Sequence, residues 1–314
     1  MTVQNTTASH PRPGGIAATW RRLNRPRGLS RNTLTAIVFV GPAIALFVIF
    51  VVLPMAEAFT FSFYRWSGYG ELGDWVGLAN FDRMFGHPVF DRALLNNFLI
   101  ILISLSVSLP LAFMLAVLLA DRFPTVSVFR AIFFIPYILA DVAAGLIWRY
   151  LYDGQYGIVA ATAQAFGAEA PYVLADRDLA IYAVLLVVVW KYFGLHMIIY
   201  IAGLQSIPRE VREAAFCDGA GWWTTLRHVT IPMTGPTIRL TVFFSILGSL
   251  QLFDLIIPLT GGGPQNSTHT LVTYLYTFGI VRLNIGFGSA VGVVLFLISI
   301  VFAFSYRRIL MRND

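Results

Sequence analysis

What this chain can fold into is decided by its apolar runs. Several of them reach the roughly 20 residues that an α-helix needs to cross the hydrocarbon core of a bilayer. Of 314 residues, 57% are hydrophobic and 12% charged, against roughly 25% charged in a typical soluble domain. An all-α, polytopic membrane protein follows. Six transmembrane helices are predicted, at about 34–59, 94–120, 126–151, 179–204, 237–259 and 287–306. They make one membrane domain over 34–314, preceded by a basic tail over 1–33 whose prolines and paired Gly14 and Gly15 argue against stable structure.

Arginine placement orients the spans, because basic loops stay on the cytoplasmic side. One side collects the six arginines of the tail, then Arg122, Arg130, Arg209, Arg212, Arg227, Arg239, Arg307, Arg308 and Arg312. The other holds Arg65, Arg83, Arg92, Arg177 and Arg282. Fifteen against five puts both termini in the cytoplasm. The net charge of +6 is therefore topology, not a nucleic-acid footprint, since the arginines sit at span ends. Arg21-Arg22 and Ala56-x-Ala58 resemble export and cleavage signals, but the apolar run over 34–54 is too long for a signal peptide.

The longest polar interruption on the basic side runs over about 205–236. Pro208 suits a first helical turn, and the segment after it has good helix formers with Val211, Ala214 and Ala215 as apolar contacts. Gly219 and Gly221 break that helix, and a second piece from Trp222 ends before Pro232. The expectation is an amphipathic helix–turn–helix at the membrane face.

Within it stand Glu213-Ala214-Ala215, three residues, Gly219, nine residues, then Val229-Thr230-Ile231-Pro232. This spacing resembles the EAA loop of permease subunits of bacterial ATP-binding-cassette importers. Val229 replaces an isoleucine and Ile231 a leucine, both apolar exchanges. The resemblance implies the MetI-like permease fold and a coupling helix that seats in a separate ATPase. Glu213, Ala214, Ala215, Asp218, Gly219, Ile231 and Pro232 are the coupling residues it implies. Two alanines allow close approach of another surface, the carboxylate offers a charged contact, and glycine sets the bend. An ordinary interfacial helix with a capping glycine is the plainer alternative.

Further stretches are similar to sugar permeases: GLANFDRMF at 77–85, ALLNNFLI at 93–100, the segment over 129–157, and FDLIIPLTGGGPQNST at 253–268. The likeness covers about 78 to the C-terminus and points to the branch with maltose, glycerol-3-phosphate and trehalose systems. It implies a bacterial inner-membrane assembly of two ATPase subunits, a second, different permease chain, and an extracytoplasmic solute-binding protein. ATP and Mg would then belong to the ATPases.

Nothing in the residues argues for chemistry in the chain itself. A P-loop needs lysine between glycine and Ser or Thr, yet the only lysine, Lys191, lies between Trp190 and Tyr192. Five scattered histidines show no paired ligand spacing, and Cys217 is the only cysteine, so no metal site is expected. No catalytic constellation is legible either, and an enzyme is not expected.

Charges inside spans cost roughly 2.5–3.5 kcal/mol each on insertion scales and usually face a cavity or a partner. Lys191, Asp141 and Asp254 are such charges. One reading is a structural ion pair of Lys191 with either aspartate. The other is a polar substrate path in which Gln251, Asn96 and Asn97 add hydrogen bonds and Trp190 a flat face for sugar C–H groups. An ion-coupled secondary transporter or channel using Lys191 and Asp254 is the alternative function.

Overall fold

A computed structural model describes residues 31–121 and 124–310. The basic tail up to residue 30, Arg122 and Arg312 lie outside the described residues. The chain divides into a unit ending at Ala56 and a unit from Glu57 onward. In the first, helix α1 (Val38–Phe61) begins as an apolar rod with no buried side chain, as a lipid-facing helix requires.

The second unit holds the packed core. A two-residue strand pair, β1 (Tyr64–Arg65) with β2 (Asp74–Trp75), precedes the short helix α2 (Ala79–Phe85). Then follow α3 (Pro88–Leu119), α4 (Val126–Ile138), α5 (Asp141–Leu151), α6 (Ile158–Ala165) and α7 (Ala180–Gln205). After α8 (Arg209–Cys217) and α9 (Trp222–Thr225) come α10 (Gly235–Leu250), α11 (Ile256–Thr260), α12 (Leu271–Val281) and α13 (Ile285–Leu310).

Helix α7 is the central post and its sides bear two cores. Its N-terminal half packs with Ala144 of α5 and Leu255, Ile256 and Leu259 around α11. Its C-terminal half packs with Leu109, Ala112 and Ala116 of α3. A third core joins Met84 and Phe90 to Tyr274, Phe278 and Phe287 of α12 and α13. Glycines set the closest approaches: a Cβ on Gly194 of α7 would lie 2.1 Å from the Phe133 carbonyl oxygen, and one on Gly145 of α5 would lie 2.9 Å from that of Leu255. Small residues at such contacts let backbones meet without a side chain between them.

Among the described residues four helices (α1, α3, α7 and α13) are long and apolar enough to cross a membrane, or five spans if the bent pair α4–α5 counts as one. The region expected as a straight third span is this pair, which turns by 94°. Pro136 cannot donate to the helix ladder, and Leu139 and Ala140 then leave it with ψ of 139°. The expected fifth span stops early as well. Helix α10 has 16 residues, and Gln251 to Leu255 form a turn before α11. The break persists because neighbours take carbonyls at the end of α10 and in the turn: Asn97 Nδ2 donates to Ser249 O (2.7 Å) and Thr270 Oγ1 to Leu252 O (2.8 Å). Helix α12 was not expected, being shorter than a span and next to a glycine-rich loop.

Candidate functional site

Two places carry the residues singled out above. The first is a cavity of about 280 Å³ walled by α3, α5, α7, α10 and the turn after α10. Ser104 and Ser108 of α3, Tyr192 and His196 of α7, and Ser245 and Ser249 of α10 supply polar groups. Asp141, Gln251 and Asp254 line it too, so three of the seven candidate path residues meet there. Its aromatic faces come from Tyr137, Tyr192, Phe244 and Phe253.

The other four candidates stand elsewhere. Trp190 packs edge-on against Trp148 (5.3 Å between centroids) and faces an apolar groove with Ile103 and Val107. Asn97 is buried in structural bonds, donating to Ser249 O and accepting from the Leu271 N–H at 2.8 Å. Asn96 is likewise spent on the carbonyls of Ser267 (2.7 Å) and His269 (2.9 Å). Lys191 is 1% exposed and points into the bend between α4 and α5. Its Nζ donates to the carbonyls of Pro136 (3.0 Å), Tyr137 (2.9 Å) and Leu139, and pairs with Asp141 Oδ1 at 3.1 Å. The ammonium thus satisfies carbonyls that α4 leaves unpaired where it stops. Tyr192 Oη donates to the other Asp141 oxygen at 3.1 Å. The ion pair is Lys191–Asp141 and the Lys191–Asp254 relay is not formed, because the ammonium's donors are already taken.

The second place is the elbow between α7 and α10. Pro208 is the residue before α8, with ψ of 138°, rather than part of its first turn. At the other end the Gly219 N–H donates to Phe216 O (3.0 Å) and the Ala220 N–H to Ala215 O (2.9 Å). With Gly219 at φ +79° this is a Schellman cap, which satisfies the last carbonyls and turns the chain sharply. Pro232 does not end the second piece. A π-turn over Leu226–Thr230 widens the backbone ahead of it, and Ile231–Met233 stays helical. A wider turn relieves the clash of the proline ring with the carbonyl four residues back.

Glu213, Ala214, Asp218, Gly219, Ile231 and Pro232 are exposed and Ala215 is half-buried. Beside them stand exposed apolar side chains: Phe216 at 58%, Trp222 at 49% and Trp223 at 74%. Phe216 was not singled out from the sequence, and its place one turn from Arg212 on an amphipathic helix was the available signal. Ile207 anchors the start of the elbow in the core shared by α3 and α7. Among the described residues, no three His, Cys, Asp or Glu side chains come together to hold a metal ion.

Comparison with known proteins adds a family. The profile described as "Binding-protein-dependent transport system inner membrane component" matches residues 83–313. A probable ABC transporter permease of Pyrococcus horikoshii is 34% identical over 273 residues, covering 86% of this chain and 93% of that protein. The sulfoquinovosyl glycerol transport system permease SmoG of Agrobacterium fabrum is 33% identical, with 90% of this chain and 92% of that protein covered. Among solved structures, a bacterial ABC transporter involved in the import of the acidic polysaccharide alginate has a chain that aligns with a TM-score of 0.78 at 22% identity. That alignment covers 93% of this chain and 99% of that one, so the backbone arrangement is shared.

Proposed function

The chain belongs to the family of binding-protein-dependent transport system inner membrane components, and from that premise we propose that it is the permease subunit of an ATP-driven sugar importer. Its cargo would be a di- or oligosaccharide or a related glycoside. The working assembly would hold two ATPase subunits that bind ATP and Mg, a second permease chain and an extracytoplasmic solute-binding protein. In this reading the bent pair α4–α5 is one span and α10 with α11 another, which makes six. Both termini and the elbow then lie in the cytoplasm, in keeping with fifteen arginines against five.

The observation that carries the coupling role is the exposed α8 with its Schellman cap. It presents Glu213, Ala214 and Ala215 beside Phe216, Trp222 and Trp223, apolar surface that the described residues of the chain leave uncovered. Such a patch marks an interaction site. Closure of the ATPases around ATP would push on α8. The elbow is helical on both sides of a hydrogen-bonded cap, so it would pass that movement to α7 and α10, and the cavity between them would change its side of access. A floppy linker would absorb the motion instead.

Affinity purification from native membranes tests the proposal. Recovery of an ATPase and a sister permease with the chain is expected. A chain that purifies alone and supports proton-coupled uptake would overturn it. The Lys191–Asp254 relay required by a secondary transporter has no support here, since Lys191 is held by Asp141 and three carbonyls.

A further inference from the structure

Family membership leaves the electrical charge of the cargo open, and the cavity wall bears on it. Among the described residues no lysine or arginine lines the cavity, while two carboxylates do, Asp141 and Asp254. The Asp141 charge is balanced by Lys191, whose ammonium is turned away into the α4–α5 bend and has no donor left to offer. Asp254 has no cationic partner among the described residues and is exposed. The wall therefore carries an uncompensated negative charge.

The same wall holds hydrogen-bonding groups that the chain does not use. His196 is 5% exposed and Ser108 2%, and neither His196 Nδ1 nor Ser108 Oγ has a partner within the protein. Buried polar atoms without partners are rare in native interiors and ask for an explanation. A group that donates and accepts at once would satisfy an imidazole, a hydroxyl and a carboxylate in turn, and an alcohol is such a group. An anion would instead meet the like charge of Asp254 with no cation on this wall to offset it.

Resting on the sugar-importer reading, we infer that this cavity takes an uncharged polyhydroxylated cargo and excludes phosphorylated, sulfonated or uronic saccharides. Asp254 acts as the excluding charge and as an acceptor for cargo hydroxyls, and His196 and Ser108 complete the hydrogen-bonding wall.

The test uses the complete transporter, with its ATPases, sister permease and solute-binding protein, in proteoliposomes. Stimulation of ATP hydrolysis is measured with two pools: uncharged mono-, di- and trisaccharides, and saccharides bearing phosphate, sulfonate or carboxylate. Stimulation by the uncharged pool alone is expected. Stimulation by the anionic pool overturns the charge assignment and leaves the importer reading standing. Silence with both pools overturns the sugar reading and this inference together. Asp254→Arg, which inverts the free charge, should raise the KM for the uncharged pool about tenfold, and Asp254→Asn about threefold, because an acceptor weakens but no repulsion of donors is added. An unchanged KM in both variants, with the complex intact on size-exclusion, would show that cargo does not meet this carboxylate.

Discussion

Lys191 shows how one charged side chain can hold a broken helix together. A lysine in the middle of an apolar run is conspicuous, because its insertion is costly and must be offset somewhere. The partner was not legible, since Asp141 and Asp254 stood equally available in the chain. Only the bend that brings Asp141 within 3.1 Å chooses between them. Lys191→Met should strand Asp141 and three carbonyl oxygens. Breaking a buried pair costs roughly 3–5 kcal/mol. Asp141 is 33% exposed and solvent recovers part of that, so a loss of about 2–3 kcal/mol is expected. It would be read as a lower unfolding midpoint in detergent. Lys191→Met combined with Asp141→Asn should be less destabilised than Lys191→Met alone, and a double-mutant cycle measures the difference. Asn97 teaches the opposite lesson. An asparagine pair in a span resembles solute-binding capacity, and here both amides are consumed in holding the turn after α10 and the start of α12.

Helices in this chain break and widen according to proline and glycine. Three of the four π-turns among the described residues, Val48–Val52, Ser104–Ser108 and Leu226–Thr230, each end two residues before a proline: Pro54, Pro110 and Pro232. Each lets a helix continue past a residue that would otherwise kink it, which is why a stop expected at Pro232 did not occur. Glycine acts where backbone angles or space demand it. Gly194→Ala puts a methyl against the Phe133 carbonyl, at 2.1 Å before any movement. It should cost about 1–3 kcal/mol through forced separation of α4 and α7, seen as a drop in thermal stability. Gly219 is different, because a Cβ there meets nothing and only the φ of +79° is at stake. Gly219→Ala should therefore cost about 1 kcal/mol and leave the chain inserted. Gly219→Pro, locked near −65°, should break the elbow, and Glu213→Arg should reverse its charge. In both, ATP hydrolysis by the assembled transporter should persist while uptake falls by about tenfold or more. Normal uptake in both variants would refute the coupling role.

Across the whole molecule, orientation is the property most easily checked. Cys217 is the only cysteine and is exposed at the end of α8. With the elbow in the cytoplasm, a membrane-impermeant maleimide should label it in inverted vesicles and not in intact cells. Labelling from outside would reverse the topology. The same placement predicts protection of Cys217 when the ATPases are bound, and loss of that protection when they are stripped.

Composition and the apolar runs were enough to establish a helical membrane protein. The apolar runs located α3 and α7 well, because the cost of placing polar backbone in lipid acts on local sequence alone. Glycine at 219 was equally readable, since a left-handed turn is a one-residue requirement. The bend at Leu139, the turn after Leu250 and the helix over Leu271–Val281 were not readable in the same way. The bend depends on Lys191 and the turn after Leu250 on Asn97 and Thr270, side chains distant in sequence that satisfy backbone groups a straight span would have satisfied itself; the helix joins its local Thr270 cap to a long-range bond from the Leu271 N–H to Asn97. Long-range hydrogen bonding thus set which apolar stretches became spans and which became cavity wall.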